Sequence, residues 1–101
     1  MSKKFKAGQI LMARTTVDRV YISFYEVIKA TTNTCEIREL RKEVVNQTYD
    51  DQEVMPLPGE YVSKAFRRKV SLSGAVPVGD NLFAWPWDGK SHWQTVLIFI
   101  P

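Results

Sequence analysis

Aromatic side chains take every second position in Phe83-Ala84-Trp85-Pro86-Trp87, and Lys90 and His92 follow across Asp88-Gly89. An extended backbone sends every second residue to the same side, so Phe83, Trp85 and Trp87 share a face if this stretch is a strand. Asp-Gly between two β-like runs predicts a type I′ hairpin, because both central positions of that turn need φ > 0. Its register sets Trp87 opposite Lys90, Trp85 opposite His92 and Phe83 opposite Gln94. Three aromatic rings beside a lysine and a histidine could stack a nucleobase, hold a cationic group or anchor a partner's side chain. The competing reading is that these rings fill a core, where aromatics are equally at home.

Arg67-Arg68-Lys69 is the densest basic run. In a strand Arg67 and Lys69 point one way and Arg68 the other, so the run is either a solvated face or a contact for phosphate or an acidic protein. Lys3, Lys4 and Lys6 read as a solvated tail. The single histidine, His92, has no nucleophile or paired carboxylate near it in sequence and reads as a cross-strand neighbour of Trp85. The single cysteine, Cys35, reads as a small apolar core residue. One Cys and one His make neither a disulfide nor a zinc site. Asp50, Asp51 and Glu53 lack the spacing and glycine of a calcium loop, and no phosphate-binding glycine loop or catalytic signature occurs. A non-enzymatic protein without cofactor or metal is expected.

The elements that must position these groups begin with Val20–Leu40. A strand from Val20 to Lys29, a polar turn over Ala30–Thr34 and a return strand from Cys35 to Leu40 form the expected central hairpin. Val20, Ile22, Phe24 and Ile28 fall on one face, and Tyr21, Tyr25 and Val27 on the other, which predicts a central strand covered on both sides. A first strand is expected over Gln9–Thr16, with Ile10 and Met12 on one face, and a connection over Val17–Arg19. Arg38–Val45 is ambiguous: a strand running through a bulge is favoured, and a helix is the alternative. Asn46–Gln52 reads as a loop. Val54–Gly59, with two prolines, reads as extended but not central. Phe66–Leu72 reads as a strand with Val70 and Leu72 inward, and Val76–Asp80 as a link. Leu82–Trp87 and Lys90–Ile100 complete the terminal hairpin.

The chain has 101 residues, 45% of them hydrophobic and 25% charged, which fits one ordered domain, with residues 1–8 as a basic lead-in. The net charge of +3, from 14 Lys and Arg against 11 Asp and Glu, permits an acidic partner without demanding one. No apolar run is long enough to span a bilayer, no signal peptide is evident, and a reducing cytoplasm is expected. The expected fold is all-β: a small, partly open antiparallel barrel of SH3-like or OB-like type. An α+β fold with one helix at Arg38–Val45 is the alternative.

The order of short motifs carries a resemblance. Phe24-Tyr25-Glu26-Val27 is followed by the Thr31–Thr34 turn and by Glu36-Ile37-Arg38-Glu39-Leu40. Then come Pro56–Gly59, Arg67-Arg68-Lys69-Val70, and Ala84 through Trp87-Asp88-Gly89-Lys90. This arrangement resembles small proteins carried by bacteriophages, prophages and conjugative elements. It departs from their pattern at Thr15–Arg19, where a Trp or Tyr and an Asp-Gln-Thr-Asn-like stretch would be expected. The resemblance implies an accessory role in a bacterial host and brings no catalytic residue. The expected function is non-catalytic binding of a host or defence-system protein. The alternative is nucleic-acid binding, with Phe83, Trp85 and Trp87 stacking bases and Lys90, Arg67 and Arg68 on phosphates.

Overall fold

The structure, a computed structural model, describes residues 5–16 and 19–96. Its strands are β1 (Ile10–Thr15), β2 (Tyr21–Ala30), β3 (Thr34–Gln47), β4 (Asp51–Tyr61), β5 (Phe66–Lys69), β6 (Val76–Gly79), β7 (Leu82–Pro86) and β8 (His92–Thr95). They form one antiparallel sheet in the order β6-β7-β1-β2-β3-β4-β8, with β5 added alongside β3. The fold is all-β and the sheet does not close on itself. Lys3, Lys4, Val17, Asp18 and the end of the run Val96–Ile100 lie outside the described residues.

The long strands β2 and β3 are rich in β-branched and aromatic residues, which suit a pleated surface covered on both sides. Two separate cores lie on opposite faces of β2. Leu11, Ala13, Tyr25, Val27, Cys35, Ile37, Val76 and Ala84 form the first, with Phe66 and Val70 packed against it. Ile22, Phe24, Leu40 and Val54 form the second, with Ile10, Met12, Tyr61 and Trp87 at its margin. Successive residues Ile22 to Tyr25 are therefore all buried, as the two apolar faces of this stretch predict. A bulge between Val27 and Lys29 takes Ile28 out of the ladder, so it is only half-buried, and delivers Ala30 to the first core. The turn is consequently tighter than expected, spanning Thr31–Thr34, with the Thr31 amide donating to the Thr34 carbonyl at 2.9 Å.

Arg38–Val45 belongs to β3, and its irregularity is absorbed by bulges against β4 between Leu40 and Lys42 and between Val44 and Asn46. No helix occurs among the described residues, so the α+β alternative is set aside. Val54–Gly59 lies in β4 and past Val54 pairs only with β3, so it is extended and not central, as its two prolines predict. The prolines are tolerated because β8 pairs only with Asp51–Val54, so no ladder bond on that side needs an N–H from Pro56 or Pro58. Leu72 is fully exposed rather than inward, because β5 ends at Lys69 and the chain turns at Ser71–Ala75. Phe5, expected in a solvated lead-in, is buried in the first core; the Gly8 amide holds this segment by donating to the Val27 carbonyl at 2.7 Å.

The second core is closed by side chains. The start of β2 faces β8 with a single backbone bond, from the Thr95 amide to the Val20 carbonyl at 2.8 Å. Thr95 Oγ1 accepts from the Val20 amide at 3.2 Å, and the buried Gln94 Oε1 accepts from the Ile22 amide at 3.2 Å. Lys42 Nζ donates to both the Ile22 carbonyl, at 2.6 Å, and Gln94 Oε1, at 2.9 Å. Burial holds the Lys42 ammonium below its ordinary pKa, opposed by the nearby Glu39 carboxylate. These groups satisfy donors and acceptors that an open sheet edge would leave bare.

Candidate binding surface

The Asp88-Gly89 hairpin does not form. β7 pairs with β1 and β6, while β8 pairs with β4 at the far end of the sheet order. The pairs Trp87–Lys90, Trp85–His92 and Phe83–Gln94 are therefore absent. The physical reason lies in the turn. Gly89 has the positive φ expected, +83°, but among the described residues the only non-glycine with positive φ is Asn81, so Asp88 does not complete a type I′ turn. Asp88 instead folds its carboxylate back: Oδ1 accepts from the Lys90 amide and bonds His92 Nε2, both at 2.9 Å. The hydrogen bond to His92 leads the lowering of the Asp88 pKa, followed by the bond from the Lys90 amide. Trp87–Ser91 thus crosses between β7 and β8, the second core's Trp87 being pinned by Nε1 donating to the Lys90 carbonyl at 2.7 Å.

The true hairpin here joins β6 to β7 through Asp80-Asn81, with Gly79 paired to Leu82. Asn81 takes the left-handed conformation, φ 53°, which Asn tolerates better than most residues. On β7 the small, fully buried Ala84 lies between Ala13 and Val76 and lets the three strands pack closely on the first core. Its neighbours then point to the opposite face, where Phe83 is 42% exposed and Trp85 is 49% exposed. Trp85 pairs with Met12 and Phe83 with Pro77. The exposed Arg14 follows on β1, one position past the last β1–β7 pair, Ala13 with Ala84. Phe83, Trp85, Met12, Pro77 and Arg14 thus form one face of β6, β7 and β1.

The other candidates go elsewhere. Trp87 is half-buried at the margin of the second core, its ring edge-on to Phe24 with centroids 6.0 Å apart. His92 is half-buried and held by Asp88, and Lys90 is exposed in the crossing segment. Arg67 and Arg68 are exposed on β5, which is paired to β3 and not to β7; Arg68 lies over the Phe66 ring at 4.6 Å. Met12, Arg14 and Pro77 were not singled out by sequence. The period-two pattern of Ile10–Thr15 does place Met12 and Arg14 together, but nothing local reveals that β7 lies beside them.

Cys35 is buried, and desolvation pushes its thiol up to about 11, so it is no nucleophile at neutral pH. Among the described residues no group of three or more His, Cys, Asp or Glu could hold a metal, and no helix is long and apolar enough to cross a membrane. Comparison with known proteins brings no match, whether to protein families, curated proteins or solved structures.

Proposed function

We propose that the chain is a non-catalytic accessory protein of a bacteriophage or mobile element that binds a protein of the bacterial host or its defence machinery. The observation that carries the reading is the exposed Phe83–Trp85 face of β7, flanked by Met12, Pro77 and Arg14. Single exposed apolar residues are ordinary, but two large aromatics on one rigid strand with apolar neighbours are what protein interfaces use as anchors. A strand holds the rings at little entropic cost, since Ala84 fixes the backbone between them. The phage or mobile-element origin and the bacterial cytoplasm rest on the motif resemblance.

The test is affinity capture from bacterial hosts with tagged parent and with a Phe83→Ala/Trp85→Ala double variant. A host protein retained by the folded parent and lost from the folded double variant is the expected outcome. Identical captures by both would sink the reading.

The specific observation favouring nucleic acid instead is the exposed cation Arg14 on β1, the strand paired with the ring-bearing β7. Its discriminating measurement is retention of single-stranded DNA against salt. Counterion release predicts a slope near −0.7 per neutralised phosphate, roughly, for single strands. Absence of binding at low salt excludes that alternative.

A further inference from the structure

At the other end of β2 and β3 a row of charge crosses three strands. Lys29 pairs with Glu36, and Glu36 pairs with Arg67. In the next row Thr34 pairs with Lys69. Cross-strand neighbours of opposite charge ordinarily reach one another. Here they do not: among the described residues the one ion pair is His92–Asp88, and neither Lys29, Glu36 nor Arg67 makes a side-chain hydrogen bond. The three side chains stand around an open pocket of about 230 Å³, lined also by Thr31 and Thr34.

The hydroxyls add a neutral group to this wall. Thr31 Oγ1 and Thr34 Oγ1 are 2.7 Å apart, and Thr31 Oγ1 also accepts from the Thr34 amide at 3.0 Å. When Thr31 donates to Thr34, the Thr34 hydroxyl proton is left to face a ligand. Lys29, Arg67 and Lys69 are exposed and Glu36 is half-buried. The corner therefore offers cationic donors for an anion and one carboxylate that can only accept.

We propose that this corner binds a phosphate group carried on a hydrogen-bond-donating scaffold, as in a nucleotide. Arg67 and Lys29 take the phosphate oxygens, the first through its planar fork and the second as a point charge. Glu36 accepts from a hydroxyl or amine of the scaffold, whereas a bare phosphate meets the Glu36 charge with its own negative charge and brings no such scaffold donor. The pocket is smaller than the roughly 300–1,000 Å³ of sites that enclose whole drug-sized ligands. It accommodates the phosphate and the group beside it, with the remainder outside. A free nucleotide and a unit of a nucleic-acid strand share this chemistry.

The experiment titrates inorganic phosphate, adenosine 5′-monophosphate and a 5′-phosphorylated single-stranded oligonucleotide into the full chain, read by amide NMR shifts at 29–36 and 66–69. The mononucleotide is expected to bind more tightly than inorganic phosphate. Arg67→Ala and Lys29→Ala should each weaken it by about tenfold, the loss of a charge-assisted contact. Arg67→Lys should fall between, since it keeps the charge and loses the fork. Glu36→Gln should strengthen inorganic phosphate and bring the two affinities together. Circular dichroism of each variant checks that it remains folded; Lys29 and Arg67 are exposed and Glu36 is half-buried. An oligonucleotide that binds more tightly than the mononucleotide, and loses affinity with Arg67→Ala, assigns the strand as source; the reverse order assigns the free nucleotide. Equal affinity for phosphate and mononucleotide in the parent overturns the proposal. So does binding by any probe that survives both Lys29→Ala and Arg67→Ala.

Discussion

The two cores on either side of β2 are built by different means. The first is closed by short strands: β5, β6 and β7 bring Phe66, Val76 and Ala84 over Tyr25, Val27 and Ile37, and the backbone ladders carry the closure. The second is closed by one backbone bond and three side chains, Lys42, Gln94 and Thr95. A backbone ladder tolerates most substitutions of its side chains, because its donors and acceptors are present in every residue except proline. A side-chain seam does not. The difference teaches that similar apolar burial on two faces of one strand can rest on unequal sequence requirements.

The largest effect should come from emptying the second core. Phe24 is fully buried, and its ring meets Trp87, the residue that anchors the crossing between β7 and β8. Phe24→Ala is expected to cost about 3–5 kcal/mol in chemical denaturation. A loss below about 1 kcal/mol would mean that Trp87 collapses into the space and that the second core is looser than described.

A smaller effect separates the cores by pH. Cys35 lies in the first core, and its thiol is pushed from 9.0 up to about 11 by desolvation. A raised folded-state value means that the native chain holds its proton when the unfolded chain has released it. Its stabilisation is complete below pH 9 and is lost as pH rises toward about 11. The loss should be on the order of 2–3 kcal/mol. Burial also raises the Tyr25 pKa and works in the same direction at higher pH, so Cys35→Ala identifies the thiol's share. Denaturation curves at pH 8 and pH 10 should differ less for Cys35→Ala than for the parent; equal differences would remove Cys35 as the source.

Gln94→Ala sharpens the comparison at the seam. It leaves the Ile22 amide and one bond of Lys42 without a partner, a loss of about 1–3 kcal/mol. Ser23→Ala, at a buried polar position on the strand between the cores, should cost less, because Gln94 supplies the ladder bond that β8 lacks and Ser23 supplies none. If both substitutions cost the same, the seam is not what closes the second core.

These contrasts also mark what could be read from residues alone. Phe24 and Tyr25, adjacent and both apolar, declare a strand covered on both faces, and periodicity carries that information locally. The bulge at Arg38–Val45 was legible too, since alternating charge without a helix cap suits an irregular strand. Asp88-Gly89 misled because a turn signal reports backbone preference, not the partner of the strand that follows. Gly89 has its positive φ, yet Asp88 bonds Lys90 and His92 and the chain crosses the sheet. The candidate surface was half legible for the same reason. Phe83 and Trp85 share a strand, whereas Met12, Arg14 and Pro77 reach them only through pairing with residues some seventy positions distant or across an unassigned hairpin. Lys29, Glu36 and Arg67 likewise meet only once β5 docks on β3.

The smallest effect on stability should carry the largest effect on function. Trp85 and Trp87 are two residues apart and chemically identical, but one lies half in solvent on β7 and the other against Phe24. Trp87→Ala removes half-buried volume against Phe24 and should cost about 1–3 kcal/mol, with partner capture falling only as far as the protein unfolds. Trp85→Ala removes a ring that solvent already reaches and should change stability by no more than about 0.5 kcal/mol, the range of surface substitutions. Capture should nevertheless fall at least about tenfold, since a central aromatic anchor contributes more than its neighbours. Melting curves and capture on the same two preparations decide the matter. A Trp85→Ala protein that melts with the parent and captures as well as the parent leaves the exposed face of β7 without a role in binding. One that unfolds would instead assign Trp85 to packing, and the contrast between the two tryptophans would disappear with it.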